Sequence, residues 1–548
     1  MFRTVRDDLS CTGKQWVMRD GSPLFSASPV PIPSLIRHLT ASRGLQEAST
    51  ALPCPPDLQR AVQRVADALA RKEGIGIFGD YDCDGITATA QMVRYFRRRG
   101  IEPNVRLPHR VHDGYGLSTA IADEWIAKGI RLLITVDTGI SAIDAITKLQ
   151  ESGIDVIIVD HHHVPEELPP AYALLHPALT PGFPEPHPSG SGMAFLFLQA
   201  LEGGAWEDMH TDRALAMMGT VADLVELKGI NRRIVAQGLQ SLCEVRSGPL
   251  AALRDSVKTG GSLTSTDIAF RIAPRLNAAG RMDDPMLALH ALLDGGAHID
   301  RLHELNQSRR DITGDLVERA RTETDRNGGL LMASKSRDYP HGIIGLIAGA
   351  LTESTGCPSM VGAEHGKLVT ASLRSPRSYH MTEGLSRISH LLQSFGGHRQ
   401  AAGCTVAVDH WQEVTDRLSA DIASQLTRED LRPTTEIDAE IRSADISIHL
   451  AEALAALEPF GQGNPEPRFL LRSAIIGNTR CVGDDGKHLQ MRVDGVKGIG
   501  FGLGFLESAL GKPMDIVCRV GVNVWQGKRE VQLSVEDMKV SSHAKTMQ

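Results

Sequence analysis

The chain has 548 residues, too many for one hydrophobic core, so three or four domains are expected. Hydrophobic residues make up 42% and charged residues 23%, an ordinary water-soluble balance, and no apolar run is long enough to span a membrane. A net charge of −8 excludes nucleic-acid binding through overall basicity but leaves room for a locally basic groove.

The opening "MFRTVRDDLSCTGKQW" carries charges where a secretory leader needs an apolar stretch. The eight cysteines are scattered, with no C-x-x-C pair. Both features point to a reducing cytoplasm and away from disulfides or structural zinc. From about residue 60 to 240 short apolar runs alternate with helical stretches, the pattern of a parallel α/β sheet. "GIGIF" (74–78) reads as a buried strand, and "ITATAQMVRYFRRRG" as a helix closed by Gly100. "RLLITVD" (131–137) and "GIDVIIVD" (153–160) are two more strands, each ending in aspartate. The Pro-rich "PALTPGFPEPHPSGSG" (177–192) reads as a loop, followed by helical segments at "MAFLFLQAL" and "RALAMMGTVADLVEL".

Near residue 298 the pattern changes. Ile299, Leu302, Leu305, Ile312, Leu316 and Ala320 recur mostly three to four apart with charges between. This spacing predicts one amphipathic helix of about 40 Å at 1.5 Å per residue, long enough to bridge domains. Residues 331–410 return to mixed α/β, rich in glycine at "HGIIGLIAGA" and "SFGGHRQAAGCTV". After "LEPFGQGNPEPRF" (457–469) strands dominate, and Gln526-Gly527 between "MDIVCRVGVNVW" and "REVQLSVEDMKV" predicts a hairpin turn. Residues 468–540 are expected to form a small all-β barrel or sandwich.

In a parallel sheet the loops at the carboxyl ends of the strands converge on one edge, where ligands bind. There the first strand delivers Asp80, Asp82 and Asp84, the second Asp137, and the third Asp160, His161 and His162. Asp223 of "GTVADLVEL" reaches the same edge if its loop faces inward. A mixed carboxylate and imidazole set without thiolate favours Mn²⁺ or Mg²⁺ over structural zinc. Five or six ligands exceed what one ion needs. Two ions about 3.5–4 Å apart, sharing a carboxylate, would use them and suit displacement at phosphorus. Each residue alone has a plainer reading: an aspartate after a strand is most often the N-cap of the next helix, and a His-His pair is more often surface or core. A calcium loop of the EF-hand type is set aside, because a strand precedes the acids and no Glu follows where that loop needs one. Acids at three successive strand ends favour a shared centre.

These residues resemble the DHH phosphoesterase superfamily and, within it, the RecJ single-strand-specific exonucleases. "DYDCDG" (80–85), "VDTG" (136–139), "DHH" (160–162) and "GTVAD" (219–223) fit its first four motifs in order, and "APRLNAAGR" (273–281) a fifth. "FGGHRQAAG" (395–403) resembles the signature of the DHH-associated domain. "LEPFGQGNPEP" (457–467) with "GKHLQ" (486–490) resembles the RecJ junction and OB-fold, and "KQWVMR" echoes the family's opening. His176-Pro177 stands where the family often has Asn-Pro, and His163 extends the histidine run; neither removes a ligand. Little sequence follows the OB-like region, so the further C-terminal domain that some members of the family carry is not expected.

The resemblance implies a fold and roles. The expected organisation is an N-terminal lead-in (1–48), an α/β parallel-sheet DHH domain (49–297), a long connecting helix (298–330), an α/β DHH-associated domain (331–430) and an OB-like β-barrel (431–542). Asp82 would hold one ion, Asp84 the other, with Asp137 between them and His161 and Asp223 completing the second site. Asp80 is either a further ligand of the first ion or an acceptor behind it. Asp160 would orient a histidine, and His162 would contact the scissile phosphate. Asn277, Arg281 and His398 match positions lining the family's site, the last two suited to neutralising phosphate charge. Arg110, Ser372 and Arg374 match its pocket for a 5′-terminal phosphate. In the OB-like part Lys487, His488, Lys528 and Arg529 could supply charge. Trp525 could supply a stacking face there, as could Phe469 and Phe501, although two of these three aromatics fit a buried core better.

The implied activity is 5′→3′ hydrolysis of single-stranded DNA to mononucleotides with two divalent ions, Mn²⁺ or Mg²⁺, in recombination and repair. The alternative enzyme is the superfamily's branch acting on short oligonucleotides or cyclic dinucleotides, whose members lack the OB-like part. A scaffold built on a degenerate site is opposed by the intact carboxylates. A helicase and a single-strand-binding protein are the partners the resemblance raises, no membrane is expected, and a monomer is.

Overall fold

Runs of β-branched and leucine residues flanked by helix-forming segments can bury both faces only within a parallel sheet covered on each side. The chain builds one from Asn104–Arg106, Ile75–Gly79, Leu132–Val136, Asp155–Val159 and Ala173–Leu175, adjacent in that order and all parallel. Every residue of the two central strands Ile75–Gly79 and Leu132–Val136 is buried. Ile77, Ile134, Ile157 and Val159 pack against Met92, Phe96, Phe195 and Leu198 on one face. Phe78, Leu133, Val156 and Ile158 pack against Ile121, Trp125 and Leu149 on the other. The register fixes the geometry of the edge: Gly79 pairs with Val136, and Val136 with Val159. The next residues, Asp80, Asp137 and Asp160, therefore leave the sheet in one row.

This computed structural model describes residues 2–4, 9–19, 29–45, 52–110, 112–114, 116–204, 209–257, 263–325, 329–483, 485–509, 512–525 and 527–541. The chain divides into two compact units, one of residues 43–310 with 459–465, the other of 1–42, 311–458 and 466–548. The first holds the parallel sheet and the helices around it. Besides a three-stranded sheet of Phe2–Thr4, Gln15–Arg19 and Thr434–Ile437, the second holds two larger sheets. One has five strands in the order Leu392–Gly397, Ala401–Ala407, Leu368–Arg374, Ser359–His365, Met332–Ser336. The other has seven, in the order Ala439–Glu440, Phe469–Ala474, Met514–Trp525, Lys528–Val540, Val496–Gly500, His488–Val493, Ile476–Val482. Trp525 pairs with Lys528 across a two-residue tip, with Gly527 at φ +78°. Gln526 and the Trp525 side chain lie outside the described residues. The opening segment "KQWVMR" belongs to this second unit: Gln15–Arg19 pairs with Thr434–Ile437, and buried Trp16 donates its Nε1–H to Asp537 Oδ2 at 2.9 Å.

Two segments differ from the sequence expectation. The Pro-rich loop ends earlier, because Ser189 caps a helix, Gly190–Leu201, whose first turn is three small residues. The helix after the first strand starts at Cys83, not at Ile86, and so carries Asp84 in its first turn. The long helix is Ala297–Asp325. Ile299 and Leu302 sit in the core of the first unit, and Leu316 and Ala320 in that of the second. Ile312, expected on the apolar stripe, is 37% exposed, at the point where the helix has left one core and not yet entered the other. Among the described residues no helix is long and apolar enough to cross a membrane.

Leu302 is fully buried, so Leu302→Ala should cost about 2–5 kcal/mol, while Ile312→Ala should stay within about 0.5 kcal/mol. Urea denaturation of the two variants checks the contrast; equal losses would place Ile312 in a core.

Candidate metal centre

Asp82 has extended backbone (φ −94°, ψ 179°) and its Oδ1 accepts from the N–H groups of Asp84 at 2.9 Å and Gly85 at 3.1 Å. It is thus the N-cap of helix Cys83–Arg97, which spends one oxygen and leaves Oδ2 to offer elsewhere. Asp80 accepts only from the adjacent Tyr81 N–H, at 2.7 Å. Asn277, on the helix Ala273–Met282 of the fifth motif, turns its Oδ1 to the Cys83 N–H at 2.8 Å and so pins the acidic loop from outside. Arg110 lies flat over the Tyr81 ring, 4.2 Å from its centroid.

Asp84 is fully buried. Its Oδ1 accepts from Ser189 Oγ at 2.9 Å and Ser191 N–H at 3.0 Å, and its Oδ2 from Gly190 N–H at 2.7 Å. These donors are the first turn of helix Gly190–Leu201, whose dipole end favours a carboxylate. "SGSG" has the composition of a loop; the cue within it to a helix start is a serine cap followed by residues small enough to admit an acid. Gly190 is required by crowding: a Cβ there would stand 2.2 Å from Asp137 Oδ1. Gly219 of "GTVAD" is held the same way, its missing Cβ lying 2.4 Å from Asp84 Oδ1.

Asp137 follows its strand with φ +59°, a left-handed conformation that Asp tolerates better than most residues. Asp160 is saturated by donors. Its Oδ1 takes the N–H groups of His161 (2.7 Å) and His162 (3.2 Å) and the His162 ring Nδ1 (2.7 Å), and its Oδ2 takes the Ile140 N–H (3.0 Å). It orients the loop and the His162 ring, and unlike Asp84 it lies outside the clustered ligand atoms. His176 adds a strut: its Nδ1 accepts from Ala178 N–H, so Nε2 carries the proton and donates to the His162 carbonyl at 2.8 Å. Neither His176 nor Asn277 could be given this task from sequence, because both act on backbone atoms.

The remaining groups gather into sets whose ligand atoms lie within 4.8 Å of one another: Asp80, Asp82 and Asp137; Asp84, His161 and Asp223; Asp137, His161 and His162. His161 Nε2 stands 3.1 Å from Asp137 Oδ1 and 3.8 Å from both Asp84 Oδ2 and Asp223 Oδ2. Both His161 Nε2 and Asp137 Oδ1 are buried and make no hydrogen bond. A buried donor set of hard oxygens and one imidazole, with atoms left unsatisfied at its centre, fits divalent cations such as Mn²⁺ or Mg²⁺.

The electrostatics agree. Burial and the charge of Asp82 push the Asp80 carboxyl up to about 8, and Asp84 up to about 6. Burial, then Asp84 and Asp82, raise Asp223 to about 9 and lift Asp137 well above the carboxylate range. Burial would raise Asp160 too, but the His162 hydrogen bond and charge hold it far below that range. Burial and His162 lower His161 to about 4, leaving the neutral imidazole that an ion requires. Burial alone would lower His162; the hydrogen bond to Asp160 raises it to about 9, which favours the charged ring.

The other sequence-predicted residues lie in the second unit, except Arg281, which shares the helix of Asn277. Ser372 and Arg374 neighbour each other on one strand, with Arg374 NH1 donating to Ser372 Oγ at 3.1 Å. A Cβ on Gly345, in the first turn of helix Ile344–Thr355, would be 3.1 Å from each of them. His398 sits in the turn before Ala401–Ala407, its N–H bonded to the Ala401 carbonyl at 2.7 Å. In the seven-stranded sheet the expected cations are each tied to an acid: Lys487 to Asp485 (2.5 Å), Lys528 to Glu530 (2.7 Å) and Arg529 to Glu452 (2.9 Å). His488 accepts from Gly502 N–H at 3.1 Å and meets the Phe501 ring edge-on at 5.2 Å. Phe469 is core, whereas Phe501 is 65% exposed.

Comparison with known proteins gives the class and then the family. The model of the DHH family N-terminal domain matches residues 74–225, the DHHA1 domain 327–424 and the RecJ OB domain 437–537. Fold and site are those of a DHH-type protein. The chain is 32% identical over 560 residues to the single-stranded-DNA-specific exonuclease RecJ of Dickeya dadantii, covering 93% of this chain and 96% of that one. It is 31% identical to the RecJ of Bacillus subtilis across 88% of this chain, spanning 63% of that relative's length. The crystal structure of Thermus thermophilus RecJ in complex with Mn²⁺ matches with TM-score 0.80 and 27% identity, covering 93% of this chain and 78% of that one. A structure of exonuclease RecJ bound to manganese matches at 31% identity and TM-score 0.61, covering 70% of this chain and all of that one. The chain belongs to the RecJ family.

Carboxyls that keep a proton near pH 7 must give it up when an ion takes their oxygens. Mn²⁺ binding should therefore release protons and tighten from pH 6 to pH 9, because Asp80 and Asp223 titrate near 8 and 9. Calorimetry in two buffers of different ionisation enthalpy measures the release; heats independent of buffer would contradict it.

Proposed function

We propose that this chain is a single-stranded-DNA-specific exonuclease, hydrolysing phosphodiester bonds 5′→3′ to 5′-mononucleotides in recombination and repair. The observation that carries the reading is the meeting, in a chain of the RecJ family, of acids from two adjacent strand ends with His161 from the third and Asp223 from a helix end, in two triads. Asp80, Asp82 and Asp137 would hold one divalent ion, and Asp84, His161 and Asp223 the other, with Asp137 near enough to serve both. Bound there, Mn²⁺ or Mg²⁺ would acidify an attacking water and offset charge on the phosphate.

The chain's own residues do the rest. Asp160 binds His162 Nδ1 and favours the charged ring, so that a contact from His162 to a phosphate oxygen would be charge-assisted. Asn277 acts as a positioning residue through the Cys83 N–H, holding Asp82 and Asp84 in place. Arg281 and His398 neutralise developing phosphate charge. Arg110, Ser372 and Arg374 receive the 5′-terminal phosphate; the pairing of Ser372 and Arg374 beside the N-terminus of helix Ile344–Thr355 supports this, since backbone N–H groups there favour anions. In the OB region Lys487, His488, Lys528, Arg529 and Trp525 are the proposed contacts to DNA. A monomeric state, a cytoplasmic location and helicase and single-strand-binding partners rest on family membership alone.

Asparagine keeps the Asp82 cap but not its charge, so Asp82→Asn and Asp137→Asn should each abolish hydrolysis of end-labelled single strands in Mn²⁺ while strand binding survives. Undiminished turnover in both would remove the assigned centre. Arg374→Ala should reduce the preference for 5′-phosphate over 5′-hydroxyl ends in competition assays, and an unchanged ratio would move that role elsewhere.

A further inference from the structure

The helix Ala273–Met282 has two functional faces, and the metal centre uses one. Asn277 and Arg281, four residues apart, share a side; Arg275 is about 200° round the helix from Asn277. On that side a pocket of about 580 Å³ is lined by Arg275, Arg310, His303, Ser256, Asn306 and Ser308. Its one lining carboxylate, Glu304, is held by Arg301 at 3.0 Å.

Apart from Glu304, no carboxylate among the described residues lines this pocket beside its arginines. Arg275 Nε donates to His303 Nδ1 at 2.8 Å, and its NH1 to the Arg271 carbonyl. Because His303 Nδ1 accepts, its proton is on Nε2, which is buried without a hydrogen-bond partner. Arg309 gives one N–H to Asn306 Oδ1 at 3.0 Å. Neither Arg275 nor Arg310 forms an ion pair with a carboxylate among the described residues. Burial, then Arg310 and Arg271, lower the Arg275 guanidinium pKa, and burial with Arg310 lowers that of Arg309, the behaviour of cations crowded together. Two guanidinium groups, an imidazole N–H and two serine hydroxyls leave a pocket rich in donors.

We infer that this pocket is an anion site that takes an internucleotide phosphate of the DNA strand, away from the bond being cut. The guanidinium fork matches phosphate oxygens in geometry as well as charge. A strand held at the metal centre presents its other phosphates at high effective concentration, which favours them over free anions. The inference rests on the single-strand exonuclease reading. It makes the motif helix a strand-positioning element on one side and a support of the acidic loop on the other.

Arg310 lies on the surface of the long helix and can be replaced without opening a core. Arg310→Ala should raise KM for a long single strand about tenfold. It should flatten the slope of log affinity against log salt by about 0.7, and Arg310→Glu should do more. A dinucleotide has no internucleotide phosphate besides the one being cut, so its hydrolysis should keep its kcat and KM. Unchanged KM and salt slope on the long strand would overturn the inference, as would an equal loss on the dinucleotide. So would a variant that lost affinity only for an oligo-glutamate peptide. Fluorescence anisotropy separates this from the parent reading: absent hydrolysis in the unsubstituted protein would sink the exonuclease, whereas the pocket stands or falls on strand binding.

Discussion

The structure turns on mutual repulsion among carboxylates buried at a sheet edge. Ionised acids removed from water are costly, and the chain offsets most of that cost with N–H and O–H donors. Asp84 receives three such donors, Asp82 two and Asp160 four. Asp137 Oδ1 receives none, and burial among the other acids disfavours its charge. The residual deficit is therefore confined to the place where atoms from every loop converge. Filling it with further hydrogen bonds would stabilise the fold and remove the site.

Structural and functional roles coincide here. Asp82 is an N-cap, as an aspartate after a strand usually is, and the cap uses only one of its oxygens. Asp84 sits on the first turn of a second helix, so two helix N-termini point at the acids and temper their charge. His162 shows the converse: an aspartate outside the ligand clusters holds its ring and favours that ring's charged form. His176 forms a local strut, since its ring spans from the Ala178 N–H to the His162 carbonyl.

Much of the site was legible because its ligands follow strands with strong apolar signatures. The aspartates of 80, 137 and 160 line up by register alone. What escaped was mostly what acts through backbone: the N–H donors of Gly190 and Ser191, the bond of Asn277 to the Cys83 N–H and the strut of His176, together with the Ser189 hydroxyl in a segment that reads as loop. Backbone donors carry no residue-type signal, and their partners lie about a hundred residues or more away in most cases. Surface charge was legible as composition but not as availability: Lys528 and Arg529 look free in sequence, yet Glu530 and Glu452 hold them. The stripe on the long helix failed only at Ile312, because periodicity reports a face and cannot tell where one core ends and the next begins.

The junction "FGQGNPEP" has a topological consequence. Residues 459–465 belong to the unit of 43–310, where the Leu227 N–H binds the Gln462 carbonyl at 2.8 Å and Ser265 Oγ the Phe460 carbonyl at 2.5 Å. The polypeptide thus passes between the two units four times, not once, and each is completed by sequence remote from its main body. Neither can be excised by a single cut without taking a piece of the other. Truncation boundaries drawn at the linear domain edges would leave the nuclease half missing its own closing stitch.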